Sequence, residues 1–436
     1  MRHHHARRIA VATACVGALA VTAACSSDTD GGPDANGNGN GNGNGNVVEI
    51  TQWYHEYGEA GTREAVERYA EEYNASQSSV KVNVVWVPGD YYSKLNASLL
   101  AGEGPDIFES APVGERIFAG QVAPLDDIFG DALSDFNPNN IASVTVDDHI
   151  YGMPTTDGTG LLFYRKSMLA DAGVQPPTTM DELIDAASAL TRDGRKGLFI
   201  GNDGCTSGQL PKIAIWSSGN EIIENGEVVF DNDRTVAAFE KMRELCTSDS
   251  LLLGAPTDWY DSSVFIDGLA AMQWGGQWTL PAVEEALGDD FGVVPWPALD
   301  SDGEPATWYG GWYEQVNASS PHLDEALAFV KWLWIDNIEA QTEWSTQFGS
   351  TAPVRTSIVE ATPALNESPA KDFMTAIAQY GHLESGVYWS SAAEAAIGEA
   401  LNNVVRNGAD AAGEVTAAAD KVRTELARIE SESRLQ

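Results

Sequence analysis

Basic residues and cysteines are scarce in this chain. Its 436 residues carry 25 Lys and Arg against 64 Asp and Glu, a formal charge of -39 at pH 7. A field of that sign argues against nucleic acid, polyphosphate or an anionic lipid surface as a partner held by charge alone. It favours a neutral or cationic ligand, and it also keeps an exported protein soluble. With four Cys and seven His, none in Cys-x-x-Cys or His-Glu-x-x-His spacing, no metal site is indicated. Gly-x-x-x-x-Gly-Lys-[Ser/Thr] and Gly-x-Ser-x-Gly are missing too, so neither a phosphate loop nor a hydrolase nucleophile elbow is present. The run "DNDRTVAAFE" starts like a calcium loop at Asp231, but Val236 stands where the loop needs glycine, so Asp231 to Asp233 read as a turn and helix cap. No cofactor is called for.

Long apolar runs are also lacking. An uncharged small-residue stretch, Ile9 to Ala24, follows Arg2, Arg7 and Arg8 and falls short of the roughly 20 residues of a spanning helix, so residues 1-24 read as a signal peptide. Cleavage by ordinary signal peptidase and cleavage just before Cys25 with lipid on its thiol are the two outcomes to weigh. Thr22-Ala23-Ala24-Cys25 resembles a bacterial lipobox, which favours lipidation of Cys25 and a chain anchored on the outer face of the cell membrane. Residues 25-46, ending in a Gly-Asn repeat, have nothing to bury and read as a disordered tether. Cys15 leaves with the signal, so Cys205 and Cys246 remain; in an oxidising exterior they suit one disulfide, with two buried free thiols as the alternative.

From Val47 the pattern is strand "VVEITQWY", helix "TREAVERYAEEYN", strand "VKVNVVWV", helix "YYSKLNASLLAGEG". Ala65, Val66, Tyr69, Ala70 and Tyr73 recur at helical spacing, while the β-branched strand between the helices calls for a sheet covered on both faces. Thr179 and Glu182 have capping-box spacing. The fold class is α/β, and the crevice at the carboxyl ends of the strands is the place for a ligand.

Four stretches then stand in order: "LLAGEGPDIFES" from Leu99, "IYGMPTTDGTGLLFYRKSMLADAGVQPPTTMDEL" from Ile150, "DGLAAMQWGGQWTL" from Asp267 and "GGWYEQVNASSPHLDEALAFVKWL" from Gly310. Together they resemble the extracellular solute-binding proteins of carbohydrate ABC importers, the family that includes maltose-binding protein, over nearly the whole chain from Val47. The resemblance implies a two-lobed periplasmic-binding-protein-like fold whose lobes close on a ligand by hinge motion. It implies residues 47-155 and 298-336 in the first lobe, and 156-297 and 337-436 in the second. Cys205 and Cys246 then share a lobe. It further implies a monomer that captures an oligosaccharide and hands it to ABC permease transmembrane subunits, without catalysis.

A sugar offers C-H ring faces and a rim of hydroxyls, so its site needs flat aromatics beside carboxylates or amides. Trp278 matches the family position that stacks on sugar; Trp312 and Trp389 are further candidates, with core packing as the alternative for each. Glu109 and Ser110 after the "PDIF" strand, and Asp157 at the first lobe crossing, open by the same likeness onto the cleft, and Asp106 reads as structural. Asn202 and Asp203 follow another short strand and are contacts or merely a turn. In "ITQWYHEYGE", His55 and Glu59 do not form a zinc motif; strand alternation puts Trp53 and His55 on one side, Tyr54 and Glu56 on the other. Glu56 and Tyr57, nearest the loop, are expected to reach the ligand, and Trp53 to be core. A glycoside hydrolase is the competing class, because paired carboxylates beside aromatics also describe hydrolytic sites. Within the fold, glycerol phosphodiesters, polyamines or metal ions are the alternative ligands; metal would need clustered His and Cys that are not evident, and an anion would need cationic side chains such as Arg116 or Arg165 in the crevice.

Overall fold

The computed structural model describes residues 47–56, 61–111, 114–203, 205–206, 208–348, 352–383 and 386–433. The leader, Cys25, the tether and Tyr57 lie outside the described residues. Two sheets carry the fold. In the first, Val80–Val87, Val48–His55, Ile107–Ser110, Tyr313–Val316 and Met153–Pro154 lie side by side in that order. The first three run parallel, in register from Val48 opposite Val80 to His55 opposite Val87, so their carboxyl ends meet at one edge. Tyr313–Val316 returns antiparallel to Ile107–Ser110.

Helices cover this sheet as the periodicity predicts. Thr62–Ser76 buries Ala65, Val66, Tyr69, Ala70 and Tyr73, the expected stripe. Asp106 accepts from Thr51 N at 2.7 Å and from Ser320 Oγ at 2.5 Å, and so ties strand to loop. Trp53 is half-buried against Val87, Tyr91, Leu95 and Phe108.

The second sheet has the order Phe291–Val294, Gly160–Arg165, Ala270–Gly276, Lys196–Phe199. Gly160–Arg165 is antiparallel to both neighbours, while Lys196–Phe199 is parallel to Ala270–Gly276. Thr179 caps the helix Met180–Leu190, taking the Glu182 N–H, as expected. The reciprocal half of the capping box is displaced by one residue, since the Glu182 carboxylate accepts from Thr178 N and Oγ1 at 2.8 and 2.7 Å. Asn232, the middle residue of the false calcium loop, caps Asp233–Cys246 by accepting from Arg234 N and Thr235 N. Cys205 and Cys246 form a disulfide with Cα atoms 6.1 Å apart, inside the core of this second half.

Two segments run between the sheets and hold each other. Thr155 N donates to Trp312 O at 3.0 Å, Gly158 N to Gly310 O at 2.7 Å, and Gly310 N returns to Gly158 O at 3.2 Å. Gly311 has to be glycine here, because a Cβ would lie 1.7 Å from Thr156 O. Asp157 also pairs through its backbone with Ala352, at 3.0 and 2.8 Å. Ala340, Trp344 and Val354 pack in the core of the first sheet. The last helix, Ala411–Ser433, buries Ala411, Val415, Ala418 and Val422 in the second core. It places Ile429 against Leu95, Phe108, Ile117 and Phe118 of the first half, beside an Arg428 to Glu115 ion pair of 2.6 Å. Among the described residues no group of His, Cys, Asp and Glu could hold a metal ion, and no helix is long and apolar enough to cross a membrane.

Candidate functional site

The carboxyl edge of the first sheet gathers His55, Glu109 and Ser110 at the ends of two parallel strands. Glu109 is buried and accepts hydrogen bonds from His55 N, at 2.7 Å, and from the His55 ring. The imidazole lies flat on Trp312, with ring centroids 4.2 Å apart and planes 23° from parallel. Tyr92 lies near-parallel to the same indole at 6.1 Å. Ser110 Oγ accepts from Arg116, whose buried guanidinium also donates to Asn96 Oδ1 at 3.1 Å and sits 5.6 Å from the Tyr92 ring. Burial pulls Arg116 below the ordinary arginine value, an effect opposed by Tyr92 and Tyr91.

Directly across the strand pair from Glu109 stands Glu314, 1 % exposed. Gln52 Nε2 and Tyr54 OH both donate to its Oε1. Burial pushes its carboxyl up to about 7, and the neighbouring charge of Glu109 adds to this, while hydrogen bonds from Tyr54, Trp334 and Gln52 oppose it.

On the second sheet, Ala270–Gly276 ends at the turn that carries Trp278. The indole folds back over the chain, and a Cβ on Gly276 would lie 2.1 Å from its ring, so this approach requires glycine. Trp278 Nε1 donates to Tyr260 O at 2.9 Å. Its ring meets Trp259 edge-on at 5.5 Å and Trp308, on the second crossing, at 6.4 Å. Trp278 is half-buried and held on several sides.

A third group surrounds a cavity of about 450 Å³ next to Trp389. Trp389 Nε1 donates to Glu394 Oε2 at 2.8 Å. Nearby, Trp216 and His382 stack at 4.8 Å and 6°, and His382 Nδ1 lies 3.1 Å from Glu221.

The sequence-chosen residues divide accordingly. Glu109, Ser110 and Trp312 fall together at the first edge, Trp278 sits at the second, Trp389 lines the cavity, and Asp157 is buried in the crossing. Glu56 is exposed and 3.4 Å from Arg63. The Asn202 amide is engaged in holding a loop, donating to Ala255 O and Thr257 O at 3.1 and 2.6 Å. Asp203 bonds Thr206 two ways, through Thr206 N at 3.3 Å and Oγ1 at 2.8 Å. Sequence reasoning passed over Tyr92, Trp259, Trp308 and Lys212. The one available signal was aromatic density around the segments 257–260 and 306–313, in a chain with 13 Trp.

The pattern of the bacterial extracellular solute-binding proteins matches residues 65–375. The chain belongs to that family. This solute-binding protein is 29% identical over 273 residues to the maltotriose-binding protein of Pyrococcus abyssi, a match covering 60% of this chain and 58% of the relative. It is 29% identical over 255 residues to the maltodextrin-binding protein MdxE of Bacillus subtilis, covering 53% and 56%. The chain thus spans somewhat more than half the length of the curated relatives it matches. Among solved structures, the GacH receptor of Streptomyces glaucescens, known unliganded and with acarbose, superposes with a TM-score of 0.76 at 26% identity, over 87% of this chain and 99% of the other. Maltose-bound MalE3 of T. maritima shares the fold at TM-score 0.73 and 21% identity, over 87% and 100%. The α/β fold with two lobes expected from the sequence is the fold of these neighbours.

Proposed function

We propose that this solute-binding protein captures an oligosaccharide outside the cell and presents it to the transmembrane subunits of an ABC permease, as a monomer anchored by lipid on Cys25. The observation that supports the reading is an indole at the carboxyl edge of the first sheet and another at the turn that ends Ala270–Gly276 in the second. Trp312, backed by His55, lies beside Glu109 and Ser110, and Trp278 is braced by Trp259 and Trp308. Flat apolar faces beside hydrogen-bonding groups suit a ring with C-H faces and a hydroxyl rim. The lobes are taken as 47-155 with 298-336 and 156-297 with 337-436, and the cores follow this only in part: Leu299, Ala306 and Trp308 pack in the second core, Ala340, Trp344 and Val354 in the first, and Ala393 to Val422 in the second. A ligand touching both lobes favours the closed form by its differential affinity, and the closed form is what the permease reads. Of the other candidate residues, Asp157 offers a polar group at the crossing, Glu56 stands at the exposed end of the first strand, and Asn202 and Asp203 shape a loop of the second half.

A second reading keeps the fold and takes an anionic ligand. It is favoured by Arg116, buried beside Ser110 and forming no ion pair with a carboxylate among the described residues, and the Escherichia coli sn-glycerol-3-phosphate-binding protein UgpB is 26% identical over 286 residues. Arg165 does not serve here, being paired with Asp290 at 2.9 Å.

A thermal-shift panel of maltose, maltotriose, mannobiose, arabino-oligosaccharides and glycerol 3-phosphate separates the two, because a ligand of the folded form alone raises the melting temperature by mass action. A shift with a neutral oligosaccharide supports the first reading; a shift with glycerol 3-phosphate and with no sugar replaces it by the second. Release of smaller sugars by the purified protein would instead put it among the glycoside hydrolases. Trp278→Ala is expected to weaken the sugar by about 30-fold, the equivalent of about 2 kcal/mol at a buried aromatic contact. An unchanged dissociation constant by calorimetry would remove Trp278 from the site.

A further inference from the structure

Lys212 is an unusual occupant of a protein interior. It lies in the helix Leu210–Ser217, lines the cavity beside Trp389, and is 2 % exposed. Its Nζ is 2.8 Å from Glu394 Oε2, the same oxygen that accepts the Trp389 indole N–H at 2.8 Å. The ammonium also sits 5.5 Å from the centre of the Trp389 ring and 5.9 Å from that of Trp216, so it stands between two indoles. Burying an ammonium is costly, and an apolar side chain of similar volume would serve packing at least as well. What an apolar side chain cannot do is fix a carboxylate and an indole face together.

Trp389 stands just before the helix Ser391–Asn407 and is half-buried. An indole in such a place is a useful platform only if its ring torsions are held. Glu394 holds the edge of the ring, but its own side chain is 41% exposed and needs an anchor. We propose that Lys212 is the positioning residue of the Trp389 platform: it anchors Glu394, covers one face of the indole, and leaves the other face for a sugar ring. This rests on the reading of Trp389 as a sugar contact. The cavity then accommodates the portion of a neutral oligosaccharide that extends past the Trp278 and Trp312 edges.

The test is a double-mutant cycle read by calorimetry with maltotriose, together with near-ultraviolet circular dichroism of the ligand-free protein. Lys212→Met is expected to weaken maltotriose about tenfold in the unaltered background, less than about twofold when Trp389 is already alanine, and Lys212→Arg to recover most of the loss. Glu394→Gln, at a half-exposed position, keeps an acceptor for the indole N–H but loses the ion pair. It should reproduce the change in the aromatic dichroism that Lys212→Met gives, and both should resemble the change caused by Trp389→Phe. Equal losses with and without Trp389 would overturn the proposal, as would an aromatic spectrum unaltered in both Lys212→Met and Glu394→Gln. If Trp389→Ala binds like the unaltered protein while Trp278→Ala does not, the sugar reading stands and the positioning role falls. If no sugar binds the unaltered protein, the sugar reading itself falls and takes this role with it.

Discussion

Replacing Glu314 by glutamine is expected to stabilise the protein by about 3 kcal/mol at pH 8 and to change it little at pH 4.5. The carboxyl group is buried within the first sheet, and its folded value of about 7 stands above the ordinary glutamate value of 4.5 that describes the unfolded chain. The native state therefore holds a proton that the unfolded state releases first. Stability contributed by this group is complete below pH 4.5, falls as the pH rises toward 7, and is constant at its lower level beyond. Glutamine keeps an oxygen to accept from Gln52 and Tyr54 without ionising, and it removes the repulsion from Glu109 across the strand pair. Urea unfolding of both proteins from pH 4.5 to 8 checks the point. The two stability curves should diverge across that window; parallel curves would show that Glu314 titrates in the same range folded and unfolded. The position also bears on function, since Glu314 lies two residues from Trp312, on the strand that leaves the crossing.

Loss of the Cys205–Cys246 bridge is expected to lower stability by about 4 kcal/mol. The bond joins residues 41 apart in sequence, and closing a loop of that length removes unfolded-chain entropy worth about that amount. The sulfurs lie within the core that also holds Leu210, Phe239, Met242 and Leu245, so the native geometry is supported around the bond. A Cys205→Ala, Cys246→Ala double variant, compared with the parent by guanidinium unfolding, measures the effect. A difference below about 1 kcal/mol would mean that the unfolded chain keeps this segment compact without the bond. Because both ends belong to one core, the variant should bind its ligand with unchanged affinity wherever both proteins are folded.

Local pattern made much of the fold legible. The helical stripe from Ala65 to Tyr73 could be placed from periodicity, because burial of one helix face constrains the residues along it; Val80–Val87 was readable as a strand from its β-branched run, but it lies at the sheet edge with Val80, Val82 and Val87 buried and Val85 exposed, not covered on both faces. Thr179 was readable as a cap because capping is a bond between near neighbours, yet the Glu182 carboxylate turned to Thr178, a choice made by the local path of the loop. The candidate site was less legible. Trp278 could be chosen by its glycine-rich setting, where the ring needs the space that Gly276 leaves. Nothing in "LPKIAIWS" announces that Lys212 is buried, or that it faces a tryptophan far along the chain. The same holds for Asn202, whose amide is satisfied by a loop more than 50 residues away.

By itself the sequence determined the charge balance, the α/β order of elements, the chemical types available for a ligand and, through ordered motifs, the family. These are properties of composition and of neighbours a few residues apart, so no tertiary information is needed to read them. Tertiary structure alone decided that Glu314 is a buried acid beside Glu109, that His55 backs Trp312, and that Lys212, Glu394 and Trp389 share one hydrogen-bonded cluster. Each of those depends on segments brought together by sheet register and helix packing, where side-chain direction and desolvation are set by partners distant in the chain.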